Sequence, residues 1–369
     1  MLYADYNAAR PPHPKVLAAY LEAEQRFWGN AASAHHAGRS AKRALDDARV
    51  SVAAMLGAQG SEIVFTSGGT EADFLGILGA RPVASSLLLS RVEHPAVLQA
   101  AHLFQQSGGE VFWVATPAQI PAEISRKKPG LVSVMLAQNE TGEIFLLEEV
   151  SRAAKEVGAL LHCDAVQAAG RLPIEVGRLG VDLLSISGRK LGGVGSIGAL
   201  YVRRGLKVSP MMPGTGEGGR RAGSVSVAAA VAFGVAAGLA REEFLPAVPQ
   251  IEAKKNRLLR AIMQSTPEAI ETIKGRRCLG NTAHFIFPGC DGEDLLARLD
   301  AAGVCASTGA ACTSGTKQPS HVLLALGYTP EEARGSLRLS IGPETTPEEI
   351  ERLSEMVPRV YQESLEATR

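Results

Sequence analysis

Short apolar runs recur between about residues 60 and 205, separated by stretches whose apolar residues fall at helical spacing. The runs EIVFTSG, SLLLSRV, EVFWVA, LVSVMLAQ, LLHCDAV, DLLSISG and GALYVRR predict strands; EADFLGILGA and LEEVSRAAKEVGA predict helices between them. This alternation predicts an α/β domain with a mostly parallel central sheet covered by helices on both faces. Two further helices are expected before it, over Pro14 to Phe27 and Gly38 to Leu56. Beyond about residue 243 the pattern changes. Helices at IEAKKNRLLRAIMQS, GEDLLARLDAAG and TPEEIERLSEMVPRVYQES surround strands at AHFIFPG, VCAST and SLRLSIG, the pattern of a smaller α+β lobe. The expected organisation is therefore an N-terminal segment 1–13 serving the small lobe and the site, a large domain 14–243, and a small domain 244–369.

Composition narrows the class. Of 369 residues 46% are hydrophobic, enough for a sizeable core, and 38 basic residues balance 38 acidic ones, so nothing points to a nucleic-acid partner. Five cysteines form no CxxC pair and no finger-like spacing with histidine, which argues against a disulfide framework or a zinc site and fits a reducing cytoplasm. The start, MLYADYNAARPPHP, does not read as a signal peptide, and VAAAVAFGVAAGLA is too short to span a bilayer. It reads as a buried or interfacial helix.

Gly193, Gly195 and Gly198 spell G-x-G-x-x-G, the letters of a dinucleotide-binding turn. Such a turn must open a helix, and here the strand-like ALYVRR follows, so the context excludes it. Lys190, just ahead of the glycines, follows a strand, and Asp164 ends the strand pattern before that one. Neighbouring parallel strands bring their C-terminal ends to one crevice. A lysine and an acid there suit pyridoxal 5'-phosphate: the amine bonds the aldehyde, and the acid keeps the ring nitrogen protonated. The phosphate finds an anion site in FTSGGTEAD, a strand, two glycines and a helix N-terminus. Read as an ordinary cap, the same segment has Thr70 at the N-cap and Asp73 at the third helical position.

With YADYNAA, TSGGTEAD, EHPAVL, QNETGEI, HCDAVQAAGRLPI, SGRKLGG, EGGRRAGS, STGAACTSGTKQPSHVLLALG and SLRLSIG in this order, the chain resembles the cysteine desulfurases of the class V aminotransferase superfamily, fold-type I pyridoxal phosphate enzymes. The resemblance implies that Lys190 carries the cofactor, Asp164 faces its ring nitrogen, and His94 stacks on the ring and helps move protons. It assigns Gln167 and Asn139 to the ring oxygen and its surroundings, and Gly69, Thr70 and Ser187 to the phosphate. Ser224 stands where the family's threonine reaches the phosphate of the other subunit, implying a homodimer. Arg338 is assigned the carboxylate of an L-cysteine substrate, beside Asn139. Cys312 lies in a small, polar, glycine-containing stretch, expected to be a loop, and is assigned the nucleophile that takes the sulfur as a persulfide. An acceptor protein such as an iron–sulfur scaffold then receives it.

The chain also departs from the family. Arg189 replaces a histidine, and the expectation is that its guanidinium takes over the phosphate contact. GGVGS follows the lysine, PETT follows SIG, and Phe74 and Gly216 replace residues that are often amides. The alternatives on this scaffold are a selenocysteine lyase, an aminotransferase, which has no use for a loop cysteine, and a non-catalytic scaffold protein.

Overall fold

All seven apolar runs between residues 60 and 205 become strands of one sheet. Its order from edge to edge is Ile63–Thr66, Gly198–Val202, Leu183–Ser187, Leu160–Asp164, Leu131–Met135, Ser86–Ser90 and Glu110–Val114. Gly198–Val202 runs antiparallel to both neighbours, and every other pair is parallel. Four strands, Ile63–Thr66, Leu131–Met135, Leu183–Ser187 and Gly198–Val202, are buried at every position, which is why they read as mostly apolar runs broken only by small hydroxyl residues and glycine. The edge strand Glu110–Val114 is only partly buried. Arg91 and Lys127 set their cations 5.4 and 4.8 Å from the Trp113 and Phe112 ring centres, which guards that edge with charge.

The computed structural model describes residues 1–309 and 318–368, and they divide into two units. One comprises residues 11–136 and 145–245, which hold the sheet. In it the helix Val227–Leu239 packs on Pro14–Arg26 and His36–Met55. Its alanines allow close approach: a Cβ on Gly234 would sit 3.0 Å from the Ala48 Cα. The other unit comprises residues 1–10, 137–144 and the described residues from 246 on. There Thr282–Ile286 lies antiparallel between Ser336–Ser340 and Ile270–Glu271, while Leu2–Tyr3 pairs parallel with Val304–Cys305. Phe285, Phe287, Leu295, Leu337, Val357 and Tyr361 are among its core residues.

The segment 137–144 falls in the second unit although its place in the sequence suggested the large domain. Backbone pairing explains this. Ala137 bridges Ile144 to close a hairpin, whose Ile144 N–H donates to Arg277 O at 2.9 Å and whose Gly142 O accepts from Leu279 N at 2.8 Å. Among the described residues no helix is long and apolar enough to cross a membrane.

At one point the sheet and the glycine turn come too close for any side chain. A Cβ on Gly198 would lie 2.5 Å from the backbone carbon of Gly68. Gly198→Ala should therefore push the 67–69 turn off the sheet and destabilise the protein by about 1–3 kcal/mol, the range for overpacking. A urea unfolding midpoint unchanged from wild type would refute the close approach.

Candidate active site

Strand register brings the sequence motifs to one edge of the sheet. Gly198 is the register partner of both Thr66 and Ser187, and Asp164 is the partner of Ser185. The glycine turn after Thr66, the lysine turn after Ser187 and the end of the Asp164 strand are therefore neighbours. The turn after Thr66 enters the helix Gly69–Gly79 with Gly68 as N-cap, so the expected cap at Thr70 is corrected: Thr70 is the second helical residue, and it is exposed. The first helical residue, Gly69, lies so near Val166 that a Cβ would meet Val166 Cγ2 at 2.7 Å. Glu71, at the third position, accepts from Ser67 N at 2.6 Å.

Lys190 is half-buried in the short 3₁₀ turn Gly188–Leu191, and Arg189 beside it is exposed. Ser187, at the strand end, is buried. His94 caps the helix Pro95–Gln106: its Nδ1 accepts from Ala96 N at 3.1 Å, which puts the proton of the neutral ring on Nε2. Gln167 is buried, and its Oε1 accepts from Arg171 Nη1 at 3.0 Å. Ser224 is exposed.

Beneath this edge lies a group of acids that sequence reasoning did not single out as such. Asp73, Glu93 and Asp164 are all buried, at 1%, 0% and 5% exposure. Burial pushes Asp164 up to about 6, opposed by the Val166 N–H on its Oδ1 at 2.9 Å and by the charge of Lys190. Burial and then the charge of Asp164 drive Asp73 well above the carboxylate range. Burial, followed by Asp164, pushes Glu93 up to about 8, although the Ser90 hydroxyl donates to it at 2.8 Å. His162 is no counter-cation. Burial brings it down to about 3, and its ring nitrogens meet Ser133 and Ser185 hydroxyls at 2.8 and 3.0 Å. At neutral pH Asp73 and Glu93 therefore hold their protons, and the ionised form rests on Asp164, the acid that feels Lys190.

The second unit holds Arg338, which is 1% exposed. Its Nη2 donates to Asp5 Oδ1 at 2.7 Å, and its Nη1 to the Asn139 and Gly309 carbonyls at 2.9 and 2.7 Å. Its Nε is buried and has no hydrogen-bond partner among the described residues. Asn139, expected to act through its side chain, engages Arg338 and Asn7 through its main-chain oxygen. His284, paired with Arg338 across the sheet, is neutral: burial and then the guanidinium charge bring it down to about 3. Cys312 lies outside the described residues.

These groups fit pyridoxal phosphate. A buried carboxyl on Asp164 beside a lysine is a donor set for a ring nitrogen and an aldehyde. A Cβ built on Gly68 meets nothing within 4 Å, so the N-terminus of the helix Gly69–Gly79 has open space in front of it.

Residues 2–353 match the family model of class-V aminotransferases. An IscS-like cysteine desulfurase of Mycobacterium tuberculosis is 39% identical over 376 residues, spanning 97% of this chain and 95% of that protein. A solved NifS-like protein superposes with a TM-score of 0.90 at 29% identity, covering 98% of this chain and 99% of its own. A structure described as SspA in complex with cysteine gives a TM-score of 0.79 at 29% identity, covering 94% of this chain and 100% of that one.

The buried acids make stability depend on pH. Glu93 sits at about 8 against an ordinary 4.5, so the folded state disfavours its ionised form. Stability is undiminished below about pH 4.5 and falls by ~1.4 kcal/mol per unit as pH climbs towards 8. Glu93→Gln should remove this component. Measured by urea unfolding, the variant should gain on wild type by on the order of 4 kcal/mol between pH 5 and pH 8. Parallel pH profiles for the two proteins would contradict the assignment.

Proposed function

Because this chain belongs to the class-V aminotransferase family, among its cysteine desulfurases, we propose that it binds pyridoxal phosphate in the large unit and converts L-cysteine to alanine, passing the sulfur to Cys312. The observation that carries the cofactor assignment is the buried Asp164 carboxyl, pushed up by burial and steadied by Lys190. A ring N–H would suit such a group as a partner. When bound, pyridoxal phosphate supplies an electron sink for negative charge left at the substrate α-carbon.

The protein's own residues do the rest. Asp164 holds the proton at the ring nitrogen. Lys190 binds the cofactor aldehyde and moves the proton at the substrate α-carbon. His94, with its proton on Nε2, stacks on the ring, and Gln167 donates to the ring oxygen. Gly69 and Thr70 offer the phosphate the N–H groups of a helix N-terminus, with Ser187 and the exposed Arg189 beside them. Arg338 binds the substrate carboxylate, and its buried, unpartnered Nε supports that role. The Cys312 thiolate forms an S–S bond to the substrate sulfur while the C–S bond breaks; the electron pair left on carbon takes a proton, and alanine leaves. A protein thiol, such as that of an iron–sulfur scaffold, then removes the sulfur.

A second copy completes the site in this reading. Phe27, Trp28, Val50 and the loop 213–228 line a groove of about 1230 Å³. Trp28, on the groove, is 76% exposed, and Met212, one residue before the loop, 63%. The exposed Ser224 belongs to the same loop, and in this reading it reaches the phosphate of a partner.

Incubation with L-cysteine should give alanine and, with a reductant, sulfide in equal amounts. Cys312→Ser should keep cofactor and cysteine binding but form no persulfide. Mass spectrometry placing the sulfur on Cys163 or Cys305 would overturn the assignment. Lys190→Ala should abolish alanine formation altogether. Arg189→His should hold the cofactor through dialysis at low pH and lose it as pH rises past about 6.5, while wild type keeps it throughout. Equal retention by wild type and Arg189→Ala would show that Arg189 does not touch the phosphate.

A further inference from the structure

The loop that carries Ser224 is fastened at two points within the large unit. Glu217 is the first. Its carboxylate accepts from both Arg49 terminal nitrogens, at 2.6 and 2.9 Å, and from Phe65 N at 2.8 Å. The side chain is 3% exposed, and its backbone is left-handed at φ 51°, a conformation that a non-glycine residue keeps only where its surroundings impose it. Arg220 adds Nε to Glu217 O at 3.1 Å and Nη2 to Ser61 O at 3.2 Å.

The second fastening reaches the phosphate turn itself. Arg221 Nε donates to Glu71 Oε1 at 2.8 Å and its Nη2 to Oε2 at 3.4 Å, the oxygen that also accepts from Ser67 N. Burial pushes the Glu71 carboxyl up, but the Arg221 and Ser67 hydrogen bonds outweigh it and hold the group below its usual range. Glu71 is thus an anion in the first turn of the helix Gly69–Gly79. A phosphate at that N-terminus would face a like charge unless something neutralises it.

We infer that Arg221 and Glu71 form a positioning pair: Arg221 cancels the Glu71 charge so that the turn can accept a phosphate, and ties the Ser224 loop to that turn. The inference rests on the proposed cofactor site and deepens it. Arg221 acts through Glu71 and is not itself a phosphate ligand. In the proposed dimer, where the same loop serves a second copy, cofactor binding in one subunit and the loop offered to the other become linked.

Titration of the apoprotein with pyridoxal phosphate and, separately, with unphosphorylated pyridoxal tests this. Arg221→Ala should raise the Kd for pyridoxal phosphate at least about tenfold, or about 1.4 kcal/mol, and change that for pyridoxal by less than about twofold. Adding Glu71→Gln to Arg221→Ala should restore the phosphate affinity to within about threefold of wild type, since the amide still accepts from Ser67 N but carries no charge. A double variant as weak as Arg221→Ala would show that Arg221 binds the phosphate directly and overturn the inference, as would wild-type affinity in Arg221→Ala. Wild-type apoprotein that binds neither compound would defeat the cofactor reading and this inference with it. A readout without cofactor is trypsin cleavage after Arg220 or Arg221 in the apoprotein. Glu71→Ala should speed it about fivefold by releasing the loop. An unchanged cleavage rate would overturn the tie between loop and turn.

Discussion

Three carboxyl groups buried together can carry little charge, and that limit organises the site. Asp73, Glu93 and Asp164 are each nearly or wholly inaccessible, and the charge of Asp164 raises the proton affinity of both Asp73 and Glu93. Ionising all three would cost many kcal/mol of desolvation and mutual repulsion. The group that escapes is the one with a lysine in reach and a backbone N–H on its oxygen, namely Asp164. Neutral Asp73 and Glu93 then act as a dry floor of hydrogen-bonding groups, with His162 pinned between two serine hydroxyls. The single negative charge is placed where a protonated ring nitrogen would complete it.

The same economy of charge governs the rim. Glu217 and Glu71 are carboxylates that each have their own guanidinium in the fold. An exposed ion pair contributes little, but these are mostly shielded, at 15% and 3% exposure for Arg49 and Glu217 and 19% and 16% for Arg221 and Glu71. Their value is in geometry. A glycine-rich loop with left-handed residues at 217, 218, 219 and 223 has no regular hydrogen-bond ladder to fix it, so directed charge pairs set its course.

How much of this was legible in the sequence depends on distance along the chain. The seven strands were, because runs buried on both faces need no partner to be recognised. Lys190 and Asp164 were, because both sit at strand ends and parallel topology alone brings such ends together. The Arg221–Glu71 pair was not: the two lie 150 residues apart. The segment 137–144 was misplaced for the same reason, since its backbone partners are Arg277 and Leu279. The buried state of Asp73 was hidden because a cap expected at Thr70 made it read as a first-turn acid, ordinarily a solvated cap, whereas it is the fifth residue of the helix Gly69–Gly79.

The glycines after Lys190 resolve in steric terms. They lie in the connection between Leu183–Ser187 and the antiparallel Gly198–Val202, so no helix opens there to meet a pyrophosphate. Gly193 donates its N–H to Gly188 O at 2.9 Å, and a Cβ on it would lie 2.6 Å from that same oxygen. The chain thus folds back hard on the 3₁₀ turn that holds the lysine, and the Gly188 N–H closes the loop on Ile197 O at 3.0 Å. A 3₁₀ turn advances about a third of a revolution per residue. Arg189 and Lys190 accordingly point in different directions, one exposed and one half-buried. The small residues shape the turn, and the turn leaves one of two adjacent cations in solvent and draws the other half into the fold.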